Sequence, residues 1–221
     1  MSVRKIHLRK LLKLIYLPQN RRVSALRSDI RDDIARESGH LGSGGDFYSP
    51  FWSDAKAHVF GASDLRQNVA GRIEANNTRR NLYPQLRDGF LLWWNERRRW
   101  TNEPFRQADA IKTAYHPPGF DAQIKIANVL CVRDAYDADH YVYPYWFPDP
   151  EIADESGRLA MWLLRSGLTT VDANELRLLD VIRGESYSLD RNPLTGEEQR
   201  IFERRYRALI AEWDSLRAEY N

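Results

Sequence analysis

The sequence predicts an α+β fold, predominantly helical, with a small antiparallel β meander at about 108–147 packed by helices and a basic helical arm in front. Three observations predict it. Apolar residues recur at helical spacing on both sides of the middle third. The middle third itself is rich in β-formers: QIKIANVLCVRD is followed by HYVYPYWF. Positive charge is concentrated at the N-terminus, where Arg4, Lys5, Arg9, Lys10, Lys13, Arg21, Arg22 and Arg27 give +8 before the first acid, Asp29. The whole chain carries only +2, so the remaining residues sum to −6.

From the N-terminus, Leu8, Leu11, Leu12 and Ile15 share one stripe of a helix over 3–17, which Pro18 stops. A second helix over about 22–38 turns Ala25, Leu26, Ile30 and Ile34 inward. GHLGSGGD then reads as a glycine-rich hinge at 39–45, between an arm at 1–38 and a single globular domain at 46–221. The body opens with a short helix ending at Gly61, and a second that Ser63 caps, with Leu65, Val69 and Ile73 inward. A third starts near Pro84 and carries Leu86, Phe90, Trp93 and Trp100 on one stripe until Pro104 stops it.

Strands are expected near Ile111–Tyr115, over 123–133, with a bulge at Asn128, and over Tyr141–Phe147, with the acidic DAYDAD as a hairpin connection. Alternation puts Tyr141, Tyr143, Tyr145 and Phe147 on one face, and Val142, Pro144 and Trp146 on the other. Two apolar faces imply helices on both sides, and Pro144 implies an edge strand or one unpaired side. Helices are expected again from Pro150 to Leu164, from the DANE box at Asp172 to a stop at Gly184, and from the TGEE box at Thr195 to about Tyr220.

Composition excludes several classes. A single cysteine, Cys131, permits neither an intrachain disulfide nor a multi-cysteine zinc site. Its apolar setting fits a reducing compartment, and a cytoplasmic location is the expectation. No apolar run approaches the length of a membrane span, and LLKLIYL lacks the cleavage site of a secretory signal. No cofactor is expected. Nucleophile motifs are missing: there is no GxSxG, and Cys131 stands among apolar neighbours that raise a thiol pKa.

Four groups of residues are candidates for function. Arg4, Lys5, Arg9, Lys10, Lys13, Arg21 and Arg22 form the first, a polyanion-binding surface on the arm. Against it stands the reading that the leucine stripe docks this helix on the body while its cations face water. The second is a basic face on the third body helix: Arg80, Arg87, Trp94 and Arg98 fall together at 100° per residue, whereas Arg97, Arg98 and Arg99 diverge. Asp134, Asp137, Asp139 and His140 are the third, close enough in sequence for Ca²⁺ or Mg²⁺, although aspartates are equally favoured in turns.

The fourth is Gln123-Ile124-Lys125 on a strand, with Asp109 upstream and Glu96 and Glu103 further back. This resembles the acid, second acid and (E/Q)xK signature of the PD-(D/E)xK nucleases. The resemblance covers a few residues and implies carboxylates on Mg²⁺ with Lys125 stabilising developing charge. It departs from the signature in having no proline before Asp109, and a strand where a helix should follow. The leading expectation is an intracellular binding or accessory protein that contacts nucleic acid or an acidic protein through the arm. The alternatives are a metal-dependent nuclease or phosphotransfer enzyme, and a structural subunit of a larger assembly.

Overall fold

The structure, a computed structural model, describes residues 2–39 and 47–220. The chain opens with β1 (Lys5–His7), α1 (Leu8–Tyr16) and α2 (Gln19–Glu37), and continues through α3 (Ser49–Val59), α4 (Leu65–Ala75) and α5 (Tyr83–Leu92). Strands β2 (Arg106–Gln107), β3 (Thr113–Tyr115), β4 (Gln123–Ile126), β5 (Leu130–Arg133) and β6 (Asp139–Tyr145) follow. Then come α6 (Asp154–Gly167), β7 (Leu176–Asp180), β8 (Glu185–Tyr187) and α7 (Glu198–Ala218). No helix among the described residues is long and apolar enough to cross a membrane.

The strands form two mixed sheets in place of one antiparallel meander. The larger has the order β2-β5-β6-β7-β8, with β6 parallel to β7 across the α6 crossover and its other pairs antiparallel. The smaller has the order β1-β4-β3, with β1 parallel to β4. The larger sheet is the middle of three layers. Cys131, Tyr143, Tyr145, Leu176 and Leu178 join one core with α1, α2, α6 and α7. Leu130, Val132, Val142, Trp146 and Leu179 join a second core with α3, α4 and α5. The aromatic run of β6 is thus buried on both faces, as its alternation predicts. Its phenol groups find partners: Tyr143 Oη accepts from the Arg9 amide at 3.1 Å, and Tyr145 Oη donates to the Pro150 carbonyl at 2.6 Å.

Several expectations change. The DANE segment caps only a short 3₁₀ turn at Ala173–Glu175, and LRLLD, expected as helix, is strand β7. Gly184 stops no helix; it lies at φ +61° in the turn between β7 and β8. Asn128 is not a bulge within a strand but a left-handed residue, φ 67°, in the turn where the chain leaves the small sheet for the large one. The cap of α4 is Asp64, whose carboxylate accepts from the amides of Arg66 and Gln67, not Ser63. Pro144 sits in a central strand, not at an edge, but its side towards β5 is unpaired, as the alternative expectation had it, because β5 pairs with β6 only as far as Val142.

The N-terminal residues do not stand apart as an arm. Strand β1 is hydrogen-bonded into the small sheet, and Val3, Ile6, Leu8, Leu11, Leu12, Leu14, Ile15 and Leu17 are all buried in the first core. Burial of one such side chain is worth about 1.5–3 kcal/mol. This segment is therefore an integral part of the first core. Of the hinge expected at 39–45, only Gly39 lies within the described residues.

Candidate anion-binding groove

Five of the basic N-terminal residues are matched by acids, three of them from the far end of the chain. Arg4 makes a two-pronged pair with Asp214 at 2.7 Å. Arg21 meets Asp149, Arg22 meets Glu212 and Arg27 meets Glu219, at 2.6–3.0 Å, while Lys10 meets Asp29 at 2.6 Å. Arg9 is buried, with its guanidinium 4.3 Å from the centre of the Trp146 ring. Lys13 lies 4.7 Å from the Phe147 ring centre, and burial pulls its ammonium below the ordinary lysine range. Among the seven residues expected to bind a polyanion, Lys5 is exposed with no carboxylate at ion-pair distance among the described residues.

The second basic face does not assemble. Helix α5 ends at Leu92 and passes into a π-helical turn, Trp93–Arg97, closed by the Arg98 amide on the Trp93 carbonyl at 2.8 Å. The wider turn breaks the 100° phase on which that face depends. Arg80 is exposed on the turn before α5, Arg87 pairs with its neighbour Asp88, and Trp94 is buried. Arg98 does meet Trp94, at 3.9 Å from the ring centre, but inside an aromatic box with Phe105 and Trp100, and it pairs with Glu103.

Asp109, Gln123 and Lys125 are not brought together by any hydrogen bond or ion pair among the described residues. Asp109 is exposed beyond β2 at the large sheet, whereas Gln123 and Lys125 lie on β4 of the small one. The acidic hairpin is equally dispersed. Asp134 is buried and accepts from Asn102 Nδ2 and the amides of Tyr136 and Ala138 at 2.9–3.0 Å. Burial raises its carboxyl, but these donors and His140 outweigh that and hold it down at about 2. Asp137 pairs with Arg106, and Asp139 takes both prongs of Arg133. His140 stacks on Trp100, with Nδ1 2.6 Å from Glu175 Oε2 and Nε2 3.4 Å from Asp134 Oδ2. Among the described residues, no group of three or more His, Cys, Asp or Glu side chains is arranged to hold a metal ion.

What the fold does bring together is arginine. The π turn packs against β8, and the residues around it line a narrow slot that holds Arg97, Arg98, Arg99, Arg177, Arg191, Ser186 and Ser188 over the buried rings of Trp93 and Trp100. The slot itself is nearly closed, at about 10 Å³, and Arg97, Ser186 and Arg191 also border an outer lobe of about 370 Å³ lined by Asp154, Gly184, Glu185, Tyr187 and Asn192.

Each arginine is positioned by a different element. Arg97, the last residue of the π turn, donates to the carbonyls of Arg183 and Gly184 at 3.2 and 3.1 Å. Arg99 leaves the aromatic box towards Asp190 at 2.5 Å. Arg177 projects from β7 and donates to the carbonyls of Asn174 and Leu176. Arg191 comes from the loop after β8.

The charges in the slot do not cancel. Of its five arginines, Arg97 faces Glu185 at 3.9 Å, Arg98 pairs with Glu103 and Arg99 with Asp190. Arg177 and Arg191 have no carboxylate at ion-pair distance among the described residues. Burial pulls Arg177 below the ordinary guanidinium range; Asp190 and Glu175 oppose this, and the nearby cations Arg99 and Arg191 reinforce it. A half-buried guanidinium bonded only to neutral carbonyls, with other cations beside it, is a place where an anion is stabilised.

Comparison with protein-family models, with curated proteins and with solved structures gives no match. The chemistry of the groove carries the functional argument. Arg97, Arg99, Arg177 and Arg191 were not among the expected site residues. For Arg97 and Arg99 the signal was present in ERRR, but reading the helix at constant pitch sent them apart. Arg177 and Arg191 stand 80 or more positions beyond Arg97 in sequence, and they come near it through the pairing of β7 with β8 and the packing of β8 against the π turn.

Proposed function

We propose that this protein is a binding protein for phosphate-bearing anions, with a nucleic acid strand as the polymeric form of such a ligand, and that the arginine groove is where the anion is held. The observation that carries this reading is Arg191, a cation without a carboxylate partner among the described residues that borders both the slot and the outer lobe, with Arg177, likewise unpartnered, behind it in the slot. Guanidinium groups match phosphate oxygens in geometry as well as charge. The N-terminal cations first expected to bind nucleic acid are mostly engaged with Asp214, Asp149, Glu212, Glu219 and Asp29, which lowers their value for an external polyanion. The nuclease alternative needs carboxylates and Lys125 to converge, and no contact among them favours it.

The test is binding of fluorescent single-stranded RNA and DNA across a salt series. Wild-type protein is expected to bind with an affinity that falls as salt rises, and Arg191→Glu to weaken binding and flatten the salt slope by about one phosphate equivalent. Arg21→Glu, on the N-terminal surface, is the control and should leave the slope nearly unchanged. Equal losses in the two variants, or no salt-sensitive binding at all, would overturn the assignment to the groove.

A further inference from the structure

The outer lobe carries chemistry that a bare anion does not use. It places two carboxylates, Asp154 and Glu185, beside the border residues Arg97, Ser186 and Arg191. Both lie near enough to Tyr187 to act on its hydroxyl: burial, then Glu185, Asp180 and Asp154 in that order, push it up to about 12. Ionised carboxylates only accept hydrogen bonds. They repel inorganic phosphate and reward a ligand that presents hydroxyl donors one or two bonds from its phosphate. A carboxylate accepting from sugar hydroxyls next to a phosphate-binding element is a recurring arrangement in nucleotide sites.

Size and floor narrow the class further. About 370 Å³ lies in the range of small-molecule pockets, room for a single phosphorylated sugar with part of a base. Among the described residues that line the lobe, no ring is exposed for stacking. Trp93 is 1% exposed and Trp100 7%, and Tyr187 is buried with its hydroxyl donating to the Ile152 carbonyl at 2.6 Å. A base would extend outward without being read.

We infer that the groove recognises a phosphorylated ribose unit, with the phosphate between Arg97 and Arg191 and the sugar hydroxyls on Asp154 and Glu185, whichever base is attached. This rests on the anion-binding reading above. The unit is either a free ribonucleotide or the 5′-phosphorylated end of an RNA strand.

Calorimetric titration separates the cases, with AMP, UMP, dAMP and inorganic phosphate, and with a short RNA carrying or lacking a 5′-phosphate. AMP and UMP are expected to bind alike, and dAMP about tenfold or more weaker, because a hydroxyl bonded to a charged acceptor is lost. Glu185→Ala, at an exposed position, should shrink the AMP to dAMP ratio while sparing or improving phosphate binding. Arg191→Ala should weaken every phosphate ligand.

If the 5′-phosphorylated RNA binds as tightly as AMP and the unphosphorylated RNA does not, the source is a strand end; if AMP alone binds, it is a free nucleotide. If phosphate, AMP and dAMP bind equally, and all are lost with Arg191→Ala, the anion reading stands and the ribose inference falls. Binding that ignores Arg191→Ala, or no binding by any phosphate ligand, overturns both.

Discussion

Replacing Gly89 by alanine should destabilise the protein, against the usual preference of helices for alanine. Gly89 lies within α5, where the helix crosses the end of β7. A Cβ there would sit 2.2 Å from the carbonyl oxygens of both Val181 and Ile182, whereas ordinary contact begins near 3.4 Å. The shortfall of 1.2 Å is against backbone, so no side chain can rotate away. Val181 and Ile182 begin the turn just past β7, and they are held between that strand and the Val181 amide's hydrogen bond to the Tyr145 carbonyl at 2.8 Å. Helix α5 must lift instead, taking Phe90 and Trp93 with it. Overpacking of this kind costs about 1–3 kcal/mol, offset by up to ~1 kcal/mol of helix propensity. A net loss of about 1–2 kcal/mol lowers Tm by ~2–8 °C in a domain of this size. Gly71→Ala is the internal control: it lies inside α4, with nothing within 4 Å of its added Cβ, and should gain about 0.5–1 kcal/mol. Scanning calorimetry on the two variants therefore expects opposite signs. Equal shifts in Tm would refute the close-approach argument. Because the lift also moves the π turn, Gly89→Ala should weaken anion binding as well.

Two further outcomes are expected. The carboxyl of Asp134, held down at about 2 in the folded state against ~3.9 when unfolded, contributes stability that is fully present above about pH 4 and is lost as the pH falls towards 2; chemical denaturation at pH 6 and pH 3 should show this loss, and Asp134→Ala, which also strands the Tyr136 and Ala138 amides at a cost of ~1–3 kcal/mol, should reduce the pH dependence. Burial pushes the Cys131 thiol up, with the Ile111 backbone and Lys56 only partly opposing it, so iodoacetamide at pH 8 should label native protein far more slowly than urea-unfolded protein, and equal rates would contradict its placement.

The parts of this fold that were legible in the sequence are those stabilised by their own neighbours. Helix α7 shows its stripe, and the buried Phe202, Tyr206, Leu209, Trp213 and Leu216 keep to it. The hairpin of β5 and β6 is marked by β-branched and aromatic runs around an acidic turn. Strand β7 was illegible because a parallel strand covered on both faces shows no alternation, and leucine, good in helices, fills it. The N-terminal charge was visible, but its partners were not: Arg4 and Asp214 stand 210 positions apart. For the groove, the decisive event is a five-residue change of helical pitch, which periodicity does not announce.

The pairing of β1 with β4 bears on how the chain is made. As Lys5 leaves the ribosome, its partner Gln123 is 118 residues behind it. At about 5–20 residues per second, β1 waits roughly 6–24 s for its neighbour, and α1 waits longer for α7. Throughout that interval, the eight apolar side chains between Val3 and Leu17 have no finished core to enter, on the most basic stretch of the chain. The first core is therefore completed late: the segment that contributes most of its N-terminal side chains is made long before β4 and α7, against which it packs.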